Sequence, residues 1–170
     1  MRIIFLLINI FFLKFNLMSE SNYINYVNEM QKKFSSNITK KYGLNCVCAS
    51  GGLFKEISSL SVEFQSCGDP LTKEMLRKLL MEISKLFLND INTNSLIKPH
   101  MKKFPFDHSD ITIMIYNVNN KGVEWFFPNI AVSQIRNSKI YYYYEDEFNH
   151  CGYKLIETEN LEDAEELLTN

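Results

Sequence analysis

The chain has 170 residues, of which 46% are hydrophobic, and this is enough for one domain with a sizeable core. Charged residues make up 22% and sum to a net charge of −2. That balance lacks the basic excess typical of nucleic-acid binding and the acidic block typical of a solvating tail, so no nucleic-acid partner is predicted.

Residues 1–19 have the pattern of a secretory signal peptide. Arg2 supplies a positive start, an apolar run from Ile3 to Leu13 is interrupted only by Asn9, and Ser19 ends a cleavage-like segment. A membrane-spanning helix needs about 20 apolar residues, so this run is short for that role. The sequence therefore predicts a secreted or periplasmic protein with a mature domain at 20–170. The alternatives are an uncleaved segment that anchors the chain to a membrane, and a buried N-terminal helix.

Two amphipathic helices are predicted from apolar spacing. In Asn22–Ile38, Tyr23 and Val27 begin an apolar face that lies opposite Gln31. The longer helix, Asp69–Asn92, is predicted to begin with Asp69 as a cap and Pro70 in its first turn. Its apolar stripe is a core face with a period near 3.6 and comprises Leu71, Met75, Leu76, Leu79, Leu80, Ile83, Leu86, Phe87 and Ile91.

Strands are predicted where apolar and polar residues alternate or β-branched residues cluster. The predicted strands are Leu60–Gln65, Ile111–Tyr116, Val123–Phe127 at an edge, Ile130–Ile135, Lys139–Glu145 and Gly152–Thr158. Gly51-Gly52 is interpreted as a turn or hinge. Phe104 and Phe106 are expected to hold a polar connection against the core. The fourth and fifth of these strands form a hairpin, and a short closing helix follows Asn160 with Leu161, Ala164, Leu167 and Leu168 inward.

This order of elements predicts an α+β fold. The late strands follow one another through short turns and should pair antiparallel, which gives a meandering sheet with helices packed on one face.

Four cysteines, Cys46, Cys48, Cys67 and Cys151, permit two disulfides in an exported chain. Side chains at Cys46 and Cys48 point to opposite faces of an extended segment, so these two are poorly placed to pair with each other. A disulfide between Cys67 and Cys151 is the preferred prediction.

Metal binding and nucleophilic catalysis find little support in the sequence. Cys46, Cys48, His150 and Cys151 lack the paired-knuckle spacing of structural zinc sites, so no metal or other cofactor is predicted. The three histidines lie in or near predicted loops and are interpreted as solvated. The acidic runs at 145–147 and 157–166 are interpreted as solvated faces.

The run Tyr141–Tyr144 is the most unusual local feature. On a strand, two of these tyrosines should pack on the helices, and the other two should lie on the open face, together with Trp125 or Tyr116. An exposed aromatic strip is typical of a surface that binds sugars or protein partners. The candidate binding surface is therefore Trp125, Tyr141, Tyr142, Tyr143 and Tyr144.

A series of short motifs runs along the mature chain: Tyr42-Gly43-Leu44, Gly51-Gly52, Leu60–Phe64, Ile91-Asn92, Pro99, Phe104-Pro105-Phe106 and Asn137–Ile140. The order of these features resembles that of small uncharacterised exported proteins of intracellular bacteria, of the chlamydia- and Legionella-like kind. The resemblance implies export from a bacterial cell, and it brings no assigned activity or catalytic residues.

These observations favour an exported, non-enzymatic α+β domain that contacts an unidentified protein partner at the cell envelope or outside the cell. The alternative is a small secreted or periplasmic thiol-dependent hydrolase that uses Cys151 or Cys67 with a loop histidine.

Overall fold

The computed structural model describes residues 23–145 and 152–169, so the predicted signal peptide lies outside the described residues. Three helices are described: α1 at 23–42, α2 at Lys73–Thr93 and α3 at Leu161–Thr169, with a short 3-10 turn at Lys98–His100. The strands are β1 (Asn45–Gly52), β2 (Ser59–Cys67), β3 (Ile111–Val118), β4 (Val132–Arg136), β5 (Lys139–Glu145) and β6 (Tyr153–Asn160).

The six strands form one open sheet in the order β1-β2-β3-β4-β5-β6, which confirms the predicted α+β fold. All neighbouring pairs are antiparallel except β2 and β3, which run parallel in register from Leu60↔Ile111 to Cys67↔Val118. Parallel neighbours need a long crossover, and α2 supplies it. The predicted meander therefore holds for β3 to β6 and is interrupted once, between β2 and β3.

The core lies on one face of this sheet. Alternate residues of β2 and β3 are buried, and they form a single hydrophobic cluster with apolar side chains from α1, α2 and α3. The buried strand residues of this cluster are Leu60, Val62, Phe64, Ile111, Ile113, Ile115, Ile135, Ile140 and Tyr142. We call this side the helical face and the opposite side the open face.

Helix α2 begins later than predicted. Thr72, not Asp69, is the N-cap, and its side-chain oxygen accepts from the Met75 amide. The preceding residues are held against the end of β3, because the Leu71 amide donates to Asn117 Oδ1 and the Asn117 side-chain amide donates to the Leu71 carbonyl. This tether keeps Leu71 out of the helix.

The buried side of α2 differs from the predicted stripe in two ways: some residues of the stripe are exposed, and some residues outside it are buried. Met75 and Leu86 were assigned to the core, but their side chains are exposed by 50% and 37%. Arg77, Met81 and Ser84 lie outside the predicted stripe, yet all three are buried. The buried arc is therefore rotated toward Arg77 and Ser84, which hydrophobicity alone does not place inside.

Two strand predictions were wrong. Residues 45–52 form the edge strand β1 although Gly51-Gly52 indicated a turn, because the backbone of this segment pairs with β2 along its whole length. Within the described residues, 123–127 form no strand and meet the sheet at the isolated bridges Val118↔Glu124 and Phe126↔Glu145.

Several side chains depart from their predicted environments. Gln31 of α1 is buried, although the prediction places it opposite the apolar face. Phe104 is exposed, whereas Phe106 is buried as expected. Leu167 and Leu168 of α3 are exposed, not inward. Leu161 and Ala164 pack in the core, so only the first turns of α3 face the sheet.

Candidate functional site

The open face carries a band of aromatic and acidic side chains. Register partners lie on the same face of a sheet, so the row Tyr116↔Val132↔Tyr143↔Leu155 runs across four strands of the open face. The next row contains Glu63, Met114, Gln134 and Tyr141.

Four tyrosines form what we call the tyrosine strip: Tyr116, Tyr141, Tyr143 and Tyr153. The ring centroids of Tyr141 and Tyr143 lie 6.4 Å apart with planes 16° from parallel, and Tyr153 lies 6.5 Å from Tyr143. Tyr116, Tyr141 and Tyr143 are half-buried, and Tyr153 is exposed by 46%. The strip therefore offers aromatic edges and faces to solvent on a rigid sheet.

Carboxylates accept hydrogen bonds from this strip. The Tyr116 hydroxyl donates to Glu63 Oε2 at 3.1 Å, and the Tyr153 hydroxyl donates to Glu124 Oε1 at 2.5 Å. Burial is the largest cause and the bond to Glu63 the next, and together they raise the pKa of Tyr116 to about 12. Burial and Glu124 likewise raise the pKa of Tyr153. Both phenols therefore stay protonated at neutral pH and remain donors to Glu63 and Glu124.

Tyr142 lies on the opposite, helical face and belongs to a different site. It is fully buried, and its hydroxyl donates to Glu159 Oε2 at 3.0 Å. Arg77 makes two further bonds to Glu159, at 2.9 Å from Nε and 2.6 Å from Nη2, while Lys73 Nζ lies 2.7 Å from Glu157 and 2.6 Å from Glu159. We call these five residues the ion network.

The ion network joins α2 to β5 and β6, and its central groups, Arg77, Glu159 and Tyr142, are largely buried. Burial raises the pKa of Glu159, but bonds from Arg77, Lys73 and Tyr142 outweigh it and lower the pKa to about 2. The pKa of Tyr142 is raised by burial and by the charge of Glu159. Glu159 is therefore charged and Tyr142 protonated at neutral pH, which suits a structural role.

The interpretation of the C-terminal acidic run as solvated was wrong for Glu159. Two sequence features point to the network: a basic residue flanked by core residues on α2, and Glu157 and Glu159 in alternation on a strand. Neither feature identifies its partner without the three-dimensional fold, because the two elements are far apart in the chain.

The remaining predicted aromatics are separated from the strip. Tyr144 shares the helical side with Tyr142 and meets Phe127 edge-on at 5.2 Å between centroids. Trp125 is half-buried near the end of β3, where its Nε1 donates to the Gly68 carbonyl at 3.2 Å. Within the described chain, no ring contact joins Trp125 to the tyrosine strip. Of the predicted surface, Tyr141 and Tyr143 lie together on the open face.

The three described cysteines, Cys46, Cys48 and Cys67, have free and exposed thiols. Asn45 Nδ2 lies 3.7 Å from Cys67 Sγ, and Cys46 Sγ lies 3.8 Å from the Cys48 carbonyl. Cys151 lies outside the described residues, so the pairing of Cys67 with Cys151 stays a prediction.

The described histidines are not solvated loop residues, contrary to expectation. His100 is half-buried and stacks on Tyr23 at 4.9 Å. His108 Nε2 lies 3.2 Å from the hydroxyl of buried Ser84, and burial lowers the pKa of His108. The Ser84 hydroxyl also lies 2.9 Å from the Met81 carbonyl, to which it donates.

Across residues 23–145 and 152–169, no group of three or more His, Cys, Asp or Glu side chains is placed to hold a metal ion. In the same residues, no helix is long and apolar enough to cross a membrane. Comparisons of the chain with family models, curated proteins and solved structures found no match.

Proposed function

We propose that this protein is an exported, non-enzymatic binding domain whose open face contacts a segment of a partner protein rich in Arg or Lys. The observation that carries the proposal is the tyrosine strip, which combines half-exposed rings with Glu63 and Glu124 on one face of the sheet. Export is supported by the signal-like pattern of residues 1–19.

The charge of the open face favours a basic partner over a neutral one. Glu145 is the register partner of Tyr153, so a third carboxylate belongs to the same end of the sheet. The basic pair Arg136 and Lys139 lies at the opposite end of the β4–β5 hairpin, about 20 Å away along the strand. An Arg or Lys side chain over the acidic end gains cation–π contact and charge complementarity together.

The partner is a protein segment rather than a duplex or a membrane, since the surface is acidic and nucleic-acid phosphates and anionic lipids would be repelled by it. The sheet supplies rigid aromatic anchors that lose little side-chain freedom on binding.

Binding of a short oligo-arginine peptide to the full chain tests this proposal. Trp125 is the only tryptophan, lies next to Glu124, and provides the fluorescence signal. We expect saturable binding that weakens when salt rises from about 0.05 M to about 0.5 M, because surface charges are screened. An oligo-glutamate peptide should not bind.

Two variants locate the site. Glu63→Gln combined with Glu124→Gln should weaken oligo-arginine binding by about tenfold, since two carboxylates are removed from the face. The matched control is Glu29→Gln combined with Glu162→Gln, two exposed helix positions that should leave binding unchanged. Equal losses in both double variants would show a non-specific charge effect and contradict the proposal.

A further inference from the structure

A groove of about 470 Å³ lies between α1 and the edge strand β1, away from the tyrosine strip. One wall is a polar stripe of α1, and the other is β1. The residues that line it include Asn28, Lys32, Ser35, Thr39, Asn45 and Cys46. Because the stripe runs from residue 28 to residue 39, it is about 16 Å long, close to the roughly 17 Å of a five-residue extended strand.

The outer edge of β1 is open to a further strand. β1 is the first strand of the sheet order, and within the described chain it pairs only with β2. Its sequence NCVCASGG contains no charged residue and no proline, the usual devices that block edge pairing. The register shift of β1 is confined to the Cys46–Cys48 step, so Cys48–Gly52 keeps a regular edge.

The other edge of the sheet is protected differently. β6 carries the charged residues Lys154, Glu157 and Glu159, whereas β1 carries none. Charges on an edge strand oppose pairing with a further strand. Of the two edges, β1 is therefore the one that can accept an added strand.

Two buried polar residues of α1, Gln31 and Ser35, form part of the groove wall. Ser35 is 6% exposed and lines the groove, yet its hydroxyl finds no hydrogen-bond partner among the described residues. Gln31 is 2% exposed and donates to the Ser50 and Ser61 carbonyls, which fixes α1 over the sheet. An unsatisfied buried hydroxyl costs free energy that a polar ligand group can recover.

We infer that the groove between α1 and β1 binds an extended peptide segment of a partner protein, which pairs with β1 as an added strand. Main-chain hydrogen bonds to the β1 edge provide affinity, and side chains that alternate toward α1 meet a polar wall. Among the described residues that line the groove, Lys32 alone is charged, so the bound segment carries an acidic side chain at that position. This site is separate from the proposed open-face site and prefers the opposite charge.

Selection of short random peptides displayed on phage against the full chain tests the inference. We expect the enriched peptides to have β-forming sequences with an acidic residue, and Lys32→Glu to weaken their binding by about tenfold or more. Lys33→Glu is the matched control, because Lys33 is the exposed next residue and does not line the groove. Absence of enrichment, or equal loss in both variants, overturns the inference.

Thiol labelling gives a second, independent measurement. Cys46 lines the groove, whereas Cys67 lies on β2, and both thiols are exposed. In chains that retain only one of these cysteines, the selected peptide should slow maleimide labelling of Cys46 by about tenfold and leave Cys67 unchanged. Protection of both thiols would show that the peptide binds elsewhere. Protection of Cys46 by increasing protein concentration alone, with dimers in sedimentation, would assign the groove to a second copy and also overturn the inference.

Discussion

At the scale of single residues, the side chains that organise this molecule are buried polar groups. Glu159 accepts from Arg77 and Tyr142, and Asn117 holds Leu71 by two bonds at the end of β3. Each satisfies polar atoms that burial would otherwise leave without a partner. Apolar residues provide most of the buried surface of the core, whereas these polar groups determine which helices and strands contact each other.

Glu159→Gln tests the ion network directly. The folded pKa of Glu159 is about 2 and its ordinary value is 4.5, so its charge stabilises the fold above pH 4.5. That stabilisation is lost as pH falls from 4.5 toward 2. We expect the variant to lower the free energy of unfolding at pH 7 by on the order of 3 kcal/mol and to flatten this acid dependence, measured by urea unfolding.

Glu157→Gln is the control for that measurement. Its side chain is 49% exposed and contacts only Lys73 within the described network, so the expected cost is below about 1 kcal/mol. A cost as large as that of Glu159→Gln would mean that burial does not distinguish the two carboxylates.

Tyr142→Phe removes the hydroxyl and keeps the ring, so it measures the contribution of the hydroxyl alone. The ring is fully buried and should pack unchanged, while a hydrogen bond to a charged acceptor is lost. We expect a loss of about 1.5–3 kcal/mol in the free energy of unfolding. Tyr141→Phe, on the open face, should cost less than about 0.5 kcal/mol by the same measurement.

At the scale of elements, α2 has a buried side that packs in the core and a side exposed to solvent. Substitutions on the two sides can be compared within one helix. Leu80 is fully buried and Leu86 is 37% exposed. Leu80→Ala should lower the free energy of unfolding by about 2–5 kcal/mol because it leaves a cavity, whereas Leu86→Ala should cost about 1 kcal/mol or less. Thermal unfolding of the two variants measures the difference, and similar costs would contradict the assigned orientation of α2.

The elements that sequence could predict are those with strong local patterns. Alternation identified β2 and the β4–β5 hairpin, and apolar spacing identified α2 to within a few residues. β1 was missed because its residues are small and every position is at least partly accessible, so no alternation is visible. The start of α2 was misplaced because the side chain of Asn117, far along the chain, holds Leu71 extended.

The candidate site was predictable only in part. Period-two alternation separates Tyr141 and Tyr143 from Tyr142 and Tyr144 without any structure. Glu63, Glu124 and Tyr153 could not be added, because their approach depends on strand order and register. The groove beside β1 depends on the same information, since its two walls come from elements that show no shared pattern.

At the scale of the whole molecule, export is the prediction with the most direct measurement. If residues 1–19 are removed as a signal peptide, the intact mass of the protein from its native host should be lower than that of the full chain by about 2 kDa. The full mass would contradict cleavage. The same spectrum, taken with and without reduction and alkylation, counts the thiols and tests the pairing of Cys67 with Cys151.

The one parallel pair in the sheet also has a kinetic consequence. β1 and β2, and the strands from β3 onward, can each assemble from near neighbours in the chain, and hairpins of this kind form in about 1–10 μs. β2 can meet β3 only after the chain between Cys67 and Ile111, which contains α2, has closed into a loop. We therefore expect the pairing of β2 with β3 to be the slow step of folding, and the formation of α2 to set the rate of that step.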